Sequence, residues 1–104
     1  MKPERRRALR KPFVGAIVIT DVASERQISS HTSTLSARGC FVPTPTPLNP
    51  GVKVRITIVH AGARVVCFGH VIYARARGMG IAFTKIEPSG QAVLERWMTD
   101  LRVK

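Results

Sequence analysis

Residues 52–76 read VKVRITIVHAGARVVCFGHVIYARA and predict a β-hairpin. In Val52–His60 the apolar side chains alternate with basic and hydroxyl-bearing ones, the period of two that a half-buried strand requires. Ala61 and Gly62 make a two-residue turn, and Ala63–Ala76 supplies a long second strand. Because the stretch is rich in β-branched residues and shows no helical period, it predicts a mostly β protein.

Other segments of the chain add further strands. They are predicted at Phe13–Thr20, Arg26–Thr34, Gly39–Val42 and Met79–Thr84. Pro43–Gly51 contains four prolines, which cannot donate to a sheet ladder, so it is predicted as an extended loop that ends in a type II Asn-Pro-Gly turn. Five or six short antiparallel strands in so small a chain are expected to curl and close on themselves, which removes exposed edges.

The hydrophobic period changes near the C-terminus. The residues that recur there at helical spacing are Leu94, Trp97, Met98 and Leu101. Pro88 suits the first turn of a helix because its missing N–H would be unpaired there anyway. An amphipathic helix is therefore predicted over about residues 88–102.

The chain is strongly basic, and its charge is uneven. Seventeen Lys and Arg face six Asp and Glu, a formal net charge of +11, so a polyanion is the expected partner. Six of these cations lie in residues 1–11, which we interpret as a flexible basic arm. Residues 12–104 are the size of one domain and leave no room for a second core.

No pattern in the sequence predicts catalysis. Two Asp and four Glu are scattered along the chain, and the three His residues (His31, His60 and His70) lack the spacing of metal ligands. Cys40 and Cys67 both lie in strand-like segments and are expected to be buried free thiols. We therefore expect no enzyme activity, no metal and no cofactor.

Membrane insertion and secretion are not predicted either. No apolar stretch approaches the ~20 residues that a helix needs to cross a bilayer. The charged N-terminus is not followed by the apolar segment of a secretory signal peptide. The expected location is the cytoplasm, with no membrane partner.

Two local sequence patterns are each weak evidence of function, but their order along the chain is specific. Arg6-x-x-x-Arg10 precedes the first strand, and the turn Thr34-Leu-Ser36-Ala-Arg-Gly39 leads into Cys-Phe-Val. The strand Gly78-Met-Gly-Ile-Ala-Phe83 and a closing helix follow. In this order the parts resemble the PilZ domain family, from about Arg5 to Leu101.

The resemblance implies a six-stranded antiparallel PilZ-type β-barrel with a C-terminal helix. The family signatures are RxxxR and [D/N]xSxxG. The first is matched in full at Arg6 and Arg10, and the second at Ser36 and Gly39, with Thr34 where the family has Asp or Asn. Thr34 lacks the carboxylate that would accept two guanine N–H donors, so we expect binding weaker by ~1–3 kcal/mol.

The same resemblance implies a receptor for cyclic di-GMP that regulates an unidentified protein effector of motility, biofilm or polysaccharide output. Arginine offers a bidentate fork to phosphate or guanine and a planar cation that stacks on a base. Ser36 is expected to contact a guanine edge, and Gly39 to permit a tight turn and close backbone approach. In the family, an arginine at the position of Arg5 accompanies two stacked ligand molecules, so two per chain are expected. Binding would order the arm against the barrel and change the surface shown to a partner.

Two other functions fit parts of the sequence. One is a degenerate PilZ module that has lost its ligand and only contacts proteins, which the substitution at Thr34 favours. The other is a basic barrel that binds single-stranded nucleic acid. Charge supports this second reading, but most of the aromatic side chains occupy positions expected to be core, so exposed stacking platforms are not predicted.

Overall fold

The computed structural model describes residues 11–12, 15–31 and 34–103, which form one curled antiparallel sheet and one helix. The strands are β1 (Lys11–Pro12), β2 (Ala16–Asp21), β3 (Gln27–His31), β4 (Thr34–Leu35), β5 (Gly39–Pro43), β6 (Lys53–His60), β7 (Ala63–Arg75) and β8 (Gly78–Ile86), and the helix is α1 (Pro88–Val103). Their order in the sheet is β1-β4-β5-β8-β7-β6-β2-β3, with every neighbouring pair antiparallel. The predicted mostly β architecture with a C-terminal helix is confirmed.

The predicted number of six strands is wrong, because the described residues form eight. The additional strands are β1 and β4, which have two residues each and are too short to show any alternation in sequence. The strand predicted over Arg26–Thr34 is also divided. Its first part, β3, ends at His31 and pairs with β2, whereas Thr34 belongs to β4, which pairs with β1 and β5.

The β6–β7 hairpin confirms the alternation in residues 52–60. Its fully buried side chains on β6 are Val54, Ile56 and Ile58, and the basic side chains that alternate with them, Lys53 and Arg55, are exposed. His60 pairs with Ala63, so the turn consists of Ala61 (φ 53°) and Gly62 (φ 80°). Positive φ at both central positions is typical of a type I′ turn, whose twist matches that of the two strands.

Strand β7 bends the sheet. It is 13 residues long and pairs with β6 on one side and β8 on the other. Its register with β8 shifts at Phe68/Gly69 and at Val71/Tyr73, and such bulges increase the local bend and twist. The curl brings β3 to β5, where the Ser30 hydroxyl donates to the carbonyl oxygen of Pro43. The expected curling is confirmed, although β1 and β3 end the strand order without pairing with each other in the described part of the chain.

Helix α1 closes the core. Leu94 and Trp97 are 1% and 5% exposed, and the Trp97 ring meets the His60 ring edge-on with their centroids 5.4 Å apart. Burial of one such large apolar side chain contributes roughly 1.5–3 kcal/mol. The helix predicted over residues 88–102 is confirmed. No helix in the described ranges is both long and apolar enough to span a membrane.

The proline-rich loop ends in the predicted type II turn. The Val52 N–H donates to the Asn49 carbonyl oxygen at 3.1 Å, and Gly51 has φ 93°. This pattern places Pro50 and Gly51 at the two central positions that suit them. The Gly51 N–H also donates to the carbonyl oxygen of Val71 at 2.7 Å, which fastens the turn to β7.

Burial controls the reactivity of the cysteines. Cys40 and Cys67 are buried thiols outside any disulfide, as predicted, and burial raises the pKa of Cys67 to about 12. Roughly one Cys67 thiol in ten thousand is then ionised at pH 8. We expect Cys67 to resist iodoacetamide at pH 8 in the native protein and to react in concentrated guanidinium chloride, as measured by mass spectrometry of its tryptic peptide. Equal labelling in both conditions would contradict its burial.

Candidate ligand-binding site

Ser36 is buried and forms its own turn. Its backbone N–H donates to the Gly39 carbonyl oxygen at 2.9 Å, and its Oγ accepts from the N–H groups of Arg38 (3.1 Å) and Gly39 (3.2 Å). Its hydroxyl also donates to the Gly39 carbonyl oxygen, 3.3 Å away. The Ser36 side chain therefore shapes the backbone of residues 36–39. Its contact with a guanine edge stays a prediction.

Gly39 fits closely between β5 and β8. It pairs with Ala82, and a Cβ at Gly39 would overlap the carbonyl oxygen of Ile81 and lie 3.3 Å from Ala82 Cα. The described glycines with positive φ are Gly51 and Gly62, so the turn at Gly39 does not use the left-handed conformation. The close backbone approach expected at Gly39 is thus made within the sheet, against β8.

Strand β1 brings the end of the basic arm to this turn. Lys11, the last residue of the predicted arm, pairs with Leu35, and Pro12 pairs with Thr34. Arg5, Arg6 and Arg10 themselves lie outside the described residues, and their ligand contacts stay predictions.

Thr34 carries an unsatisfied hydroxyl. The residue is half-buried in β4, and its Oγ1 is shielded from solvent without a hydrogen-bond partner in the described part of the chain. A buried polar atom without a partner costs about 1–3 kcal/mol. A group that reached this hydroxyl would recover that free energy.

An aromatic row extends from Thr34 across the sheet. Thr34 pairs with Phe41, Phe41 with Gly80, and Gly80 with Tyr73, so these positions share one face. The rings of Phe41 and Tyr73 are stacked with their centroids 6.4 Å apart and their planes at 27°. The guanidinium carbon of Arg75 lies 4.8 Å from the centroid of the Tyr73 ring, a cation–π geometry.

Two glycines make room for the two rings. A Cβ at Gly78 would overlap the Phe41 ring, and a Cβ at Gly80 would overlap the Tyr73 ring. Sequence reasoning missed both rings as site residues because it assigned most aromatic side chains to the core. The available signal was Gly78-Met79-Gly80, in which the buried Met79 fills the core while the glycines leave the other face bare.

The expectation that most aromatic side chains are core residues is wrong for those that the structure describes. Trp97 is buried, Phe41, Tyr73 and Phe83 are half-buried, and Phe68 is 36% exposed. The physical reason is the strand period, since Phe41 and Phe68 alternate with the fully buried Cys40 and Cys67 and so face the other way. Exposed rings are therefore present, which removes one objection to a nucleic-acid-binding barrel.

The arrangement suits a flat, anionic heterocycle. A stacked ring and guanidinium offer a surface to the π face of a base, and arginine forks complement phosphate or the guanine edge. Within residues 11–12, 15–31 and 34–103, no three His, Cys, Asp or Glu side chains are grouped as metal ligands would be.

Comparisons with known proteins identify relatives of this fold. A family model described as PilZ domain matches residues 4–100. The chain is similar to the Bacillus subtilis inhibitor of motility MotI/DgrA, with a TM-score of 0.79 and 16% identity over 99% of this chain and 53% of that one. It is also similar to the PilZ domain of CeSA from a cellulose-synthesizing bacterium, with a TM-score of 0.66 and 22% identity over 89% of this chain and 97% of that one. The chain thus spans about half the length of MotI/DgrA, and at these identities the two structures show the fold alone. No curated protein matches the chain.

Proposed function

The chain belongs to the PilZ domain family, and from that membership we propose that it is a cyclic di-GMP receptor that regulates a partner protein and catalyses no reaction. Two of the solved structures that it resembles are an inhibitor of motility and the PilZ domain of CeSA from a cellulose-synthesizing bacterium. We extend the proposal to outputs of the same kind: motility, biofilm or polysaccharide. The proposed place of action is the cytoplasm.

The pairing of β1 with β4 carries this proposal. It sets Lys11 beside Leu35, the residue that precedes Ser36. This strand pair supports the proposal that the two sequence patterns, which are separated along the chain, form one site. A ligand that bridges the arm and the turn would touch both.

The side chains of this region complement a cyclic dinucleotide. Arg6 and Arg10 would bind its phosphates and guanine edges as bidentate donors. The ring of Tyr73, with Arg75 stacked on it, would receive a base. Binding would hold the arm beside β4 and change the surface presented to a partner, which allows a module without catalytic groups to signal.

Calorimetric titration of the full chain with cyclic di-GMP at ~150 mM salt tests the proposal. GMP and a short single-stranded RNA serve as controls for base and for charge. We expect saturable binding of cyclic di-GMP alone, with a micromolar or tighter dissociation constant. Heat from the RNA with none from the dinucleotide would instead support the nucleic-acid alternative.

The stoichiometry of the same titration tests the role of Arg5. We propose that its guanidinium faces a second guanine, so that two ligand molecules bind per chain. Replacement of Arg5 by alanine is then expected to lower the ratio from about two towards one while binding persists. A ratio of one ligand molecule per unaltered chain would contradict the proposed role of Arg5.

Replacing Thr34 by aspartate is expected to strengthen binding about tenfold. A carboxylate at this position would accept two guanine N–H donors, and a hydrogen bond to a charged group contributes ~1.5–3 kcal/mol. Desolvation of the new carboxylate offsets part of that gain. Calorimetry measures the change, with Thr34→Val as the control that removes the hydroxyl without adding charge. Equal affinity for the aspartate and valine variants would exclude position 34 from the site.

Thr34 also supports a second candidate, a protein-interaction module that has lost its ligand. The observation in its favour is that the hydroxyl at position 34 lacks a partner among the described residues, while Ser36 bonds within its own turn. If the unaltered chain gives no heat with cyclic di-GMP but Thr34→Asp does, this candidate is the correct one.

A further inference from the structure

A groove lies on the sheet beyond the aromatic row, and we name it the Phe68 groove. Its volume is about 630 Å³, and its lining includes Val22, Gly51, Lys53, Phe68, His70 and Thr84. A smaller cavity of about 250 Å³ shares Val22 and Phe68 and is bordered by Arg55 and Glu25. A volume of this size accommodates one or two large side chains or a small organic molecule.

Backbone hydrogen bonds preform both walls of the groove. On one side the turn after β2 is anchored by the Val22 N–H, which donates to the Lys53 carbonyl oxygen at 3.0 Å. On the other side the Asn-Pro-Gly turn is anchored by the bond from the Gly51 N–H to the Val71 carbonyl oxygen. Between the walls, Gly69 lets β7 approach β8 closely, since a Cβ there would overlap the Ala82 carbonyl oxygen. The groove therefore exists without a partner.

The floor is apolar and accessible. Val22 is 51% exposed and Phe68 is 36% exposed, although both are large hydrophobic side chains. Phe68 lies at a bulge, where the register between β7 and β8 shifts. Exposed apolar side chains gathered in a concave site rimmed by polar groups mark a place where another molecule binds.

The rim is cationic. Lys53 pairs with His70 and Arg55 with Phe68, so the basic side chains stand on the same face as the exposed ring. On its other side Phe68 pairs with Lys85. No carboxylate in the described ranges forms an ion pair with Lys53 or Arg55, and Glu25 is the acidic residue that borders the smaller cavity. Charge complementarity thus favours an acidic occupant.

We infer that the Phe68 groove binds an acidic segment of a partner protein, anchored by one apolar side chain against Phe68 and Val22. A single-stranded nucleic acid fits less well, because it stacks successive bases on successive aromatic platforms, and Phe68 is the one Phe, Tyr or Trp among the described residues that line the groove. The inference rests on the proposed function and extends it, since a receptor that regulates a partner protein requires a surface that contacts this partner. Its test does not depend on cyclic di-GMP.

The test begins with random 12-residue peptides displayed on phage and selected against the full chain. Selected peptides are expected to be enriched in Asp and Glu and to contain a Leu, Ile, Phe or Trp. Their affinity, measured by fluorescence anisotropy at ~150 mM salt, is expected to fall at least tenfold with Phe68→Ala and with Lys53→Glu. Val59→Ser is the matched control, because Val59 is 43% exposed on β6 and does not line the groove.

Each other outcome overturns the inference. No enrichment, or peptides that bind Phe68→Ala as tightly as the unaltered chain, would exclude this surface. Binding of a 12-nucleotide oligouridine with the same dependence on Phe68 would assign the groove to nucleic acid. Thermal melting checks that each variant folds, and titration of Phe68→Ala with cyclic di-GMP is expected to match the unaltered chain. Failure of the groove and failure of the receptor proposal are therefore distinguishable.

Discussion

Replacement of both Arg6 and Arg10 by alanine is expected to weaken cyclic di-GMP binding by about 100-fold or more. Each arginine is proposed to make charge-assisted hydrogen bonds to phosphate or guanine, and such bonds contribute ~1.5–3 kcal/mol each. Two of them correspond to ~3–6 kcal/mol, since every ~1.4 kcal/mol is a factor of ten in affinity. Calorimetric titration measures the loss. The arm residues add no predicted core contact, so the melting temperature is expected to stay unchanged.

The matched control is the double variant Arg26→Ala with Arg64→Ala. It removes the same two positive charges, and both side chains are exposed at positions outside β1, β4 and the Ser36 turn. Its binding is expected to weaken less than threefold. If both double variants lose affinity equally, the dinucleotide is attracted by net charge alone and the specific role of Arg6 and Arg10 is wrong.

Gly39→Ala is expected to destabilise the protein by about 3 kcal/mol or more. The added methyl group would overlap the carbonyl oxygen of Ile81, a backbone atom that cannot move unless β5 and β8 separate. Overpacking of a rigid site costs ~1–3 kcal/mol or more, a large share of the 5–15 kcal/mol that stabilises a typical domain. Urea unfolding followed by circular dichroism measures the shift in midpoint.

Gly62→Ala is the control that measures the loss of stability from replacing a glycine without steric overlap. Gly62 has φ 80°, and a Cβ there meets no atom within 4 Å, so the substitution carries backbone strain without overlap. Its expected cost is about 1 kcal/mol. A Gly39→Ala variant as stable as Gly62→Ala would show that β5 and β8 accommodate the methyl group. If the larger loss is observed, lost ligand binding in Gly39 variants reports on folding rather than on contact.

The parts of the fold that sequence predicted are those with a strong local pattern. Strand β6 shows a period of two, α1 shows a helical period with Pro88 at its start, and Asn49-Pro50-Gly51 contains the residues that a type II turn requires. Strands β1 and β4 were missed because two residues carry no period. They exist because β4 pairs with β5 and β1 pairs with β4, and local sequence does not encode this tertiary pairing.

For the candidate site, sequence named residues whose ligand contacts stay predictions, and it did not predict their structural roles. Sequence identified Ser36 and Gly39, yet only geometry shows that the Ser36 hydroxyl bonds within its own turn and that Gly39 makes room for β8. Phe41 and Tyr73 were missed because an aromatic side chain in a strand is usually assigned to the core. Only the glycines that lie against these rings indicate the other face of the sheet. The Phe68 groove lies where the register between β7 and β8 shifts, and the sequence shows no pattern that predicts this shift.

The contact between Ser30 and Pro43 bears on how this chain avoids aggregation. Strand β3 ends the described sheet, and an end strand offers free N–H and C=O groups to which a second chain could add. The Ser30 hydroxyl donates to the Pro43 carbonyl oxygen and so links β3 to β5. Pro43, the last residue of β5, has no backbone N–H that could bond to a second chain. Four of the five residues of β3 are polar, which further disfavours strand addition by another copy. We therefore expect the curl to disfavour strand addition by a second chain at high concentration.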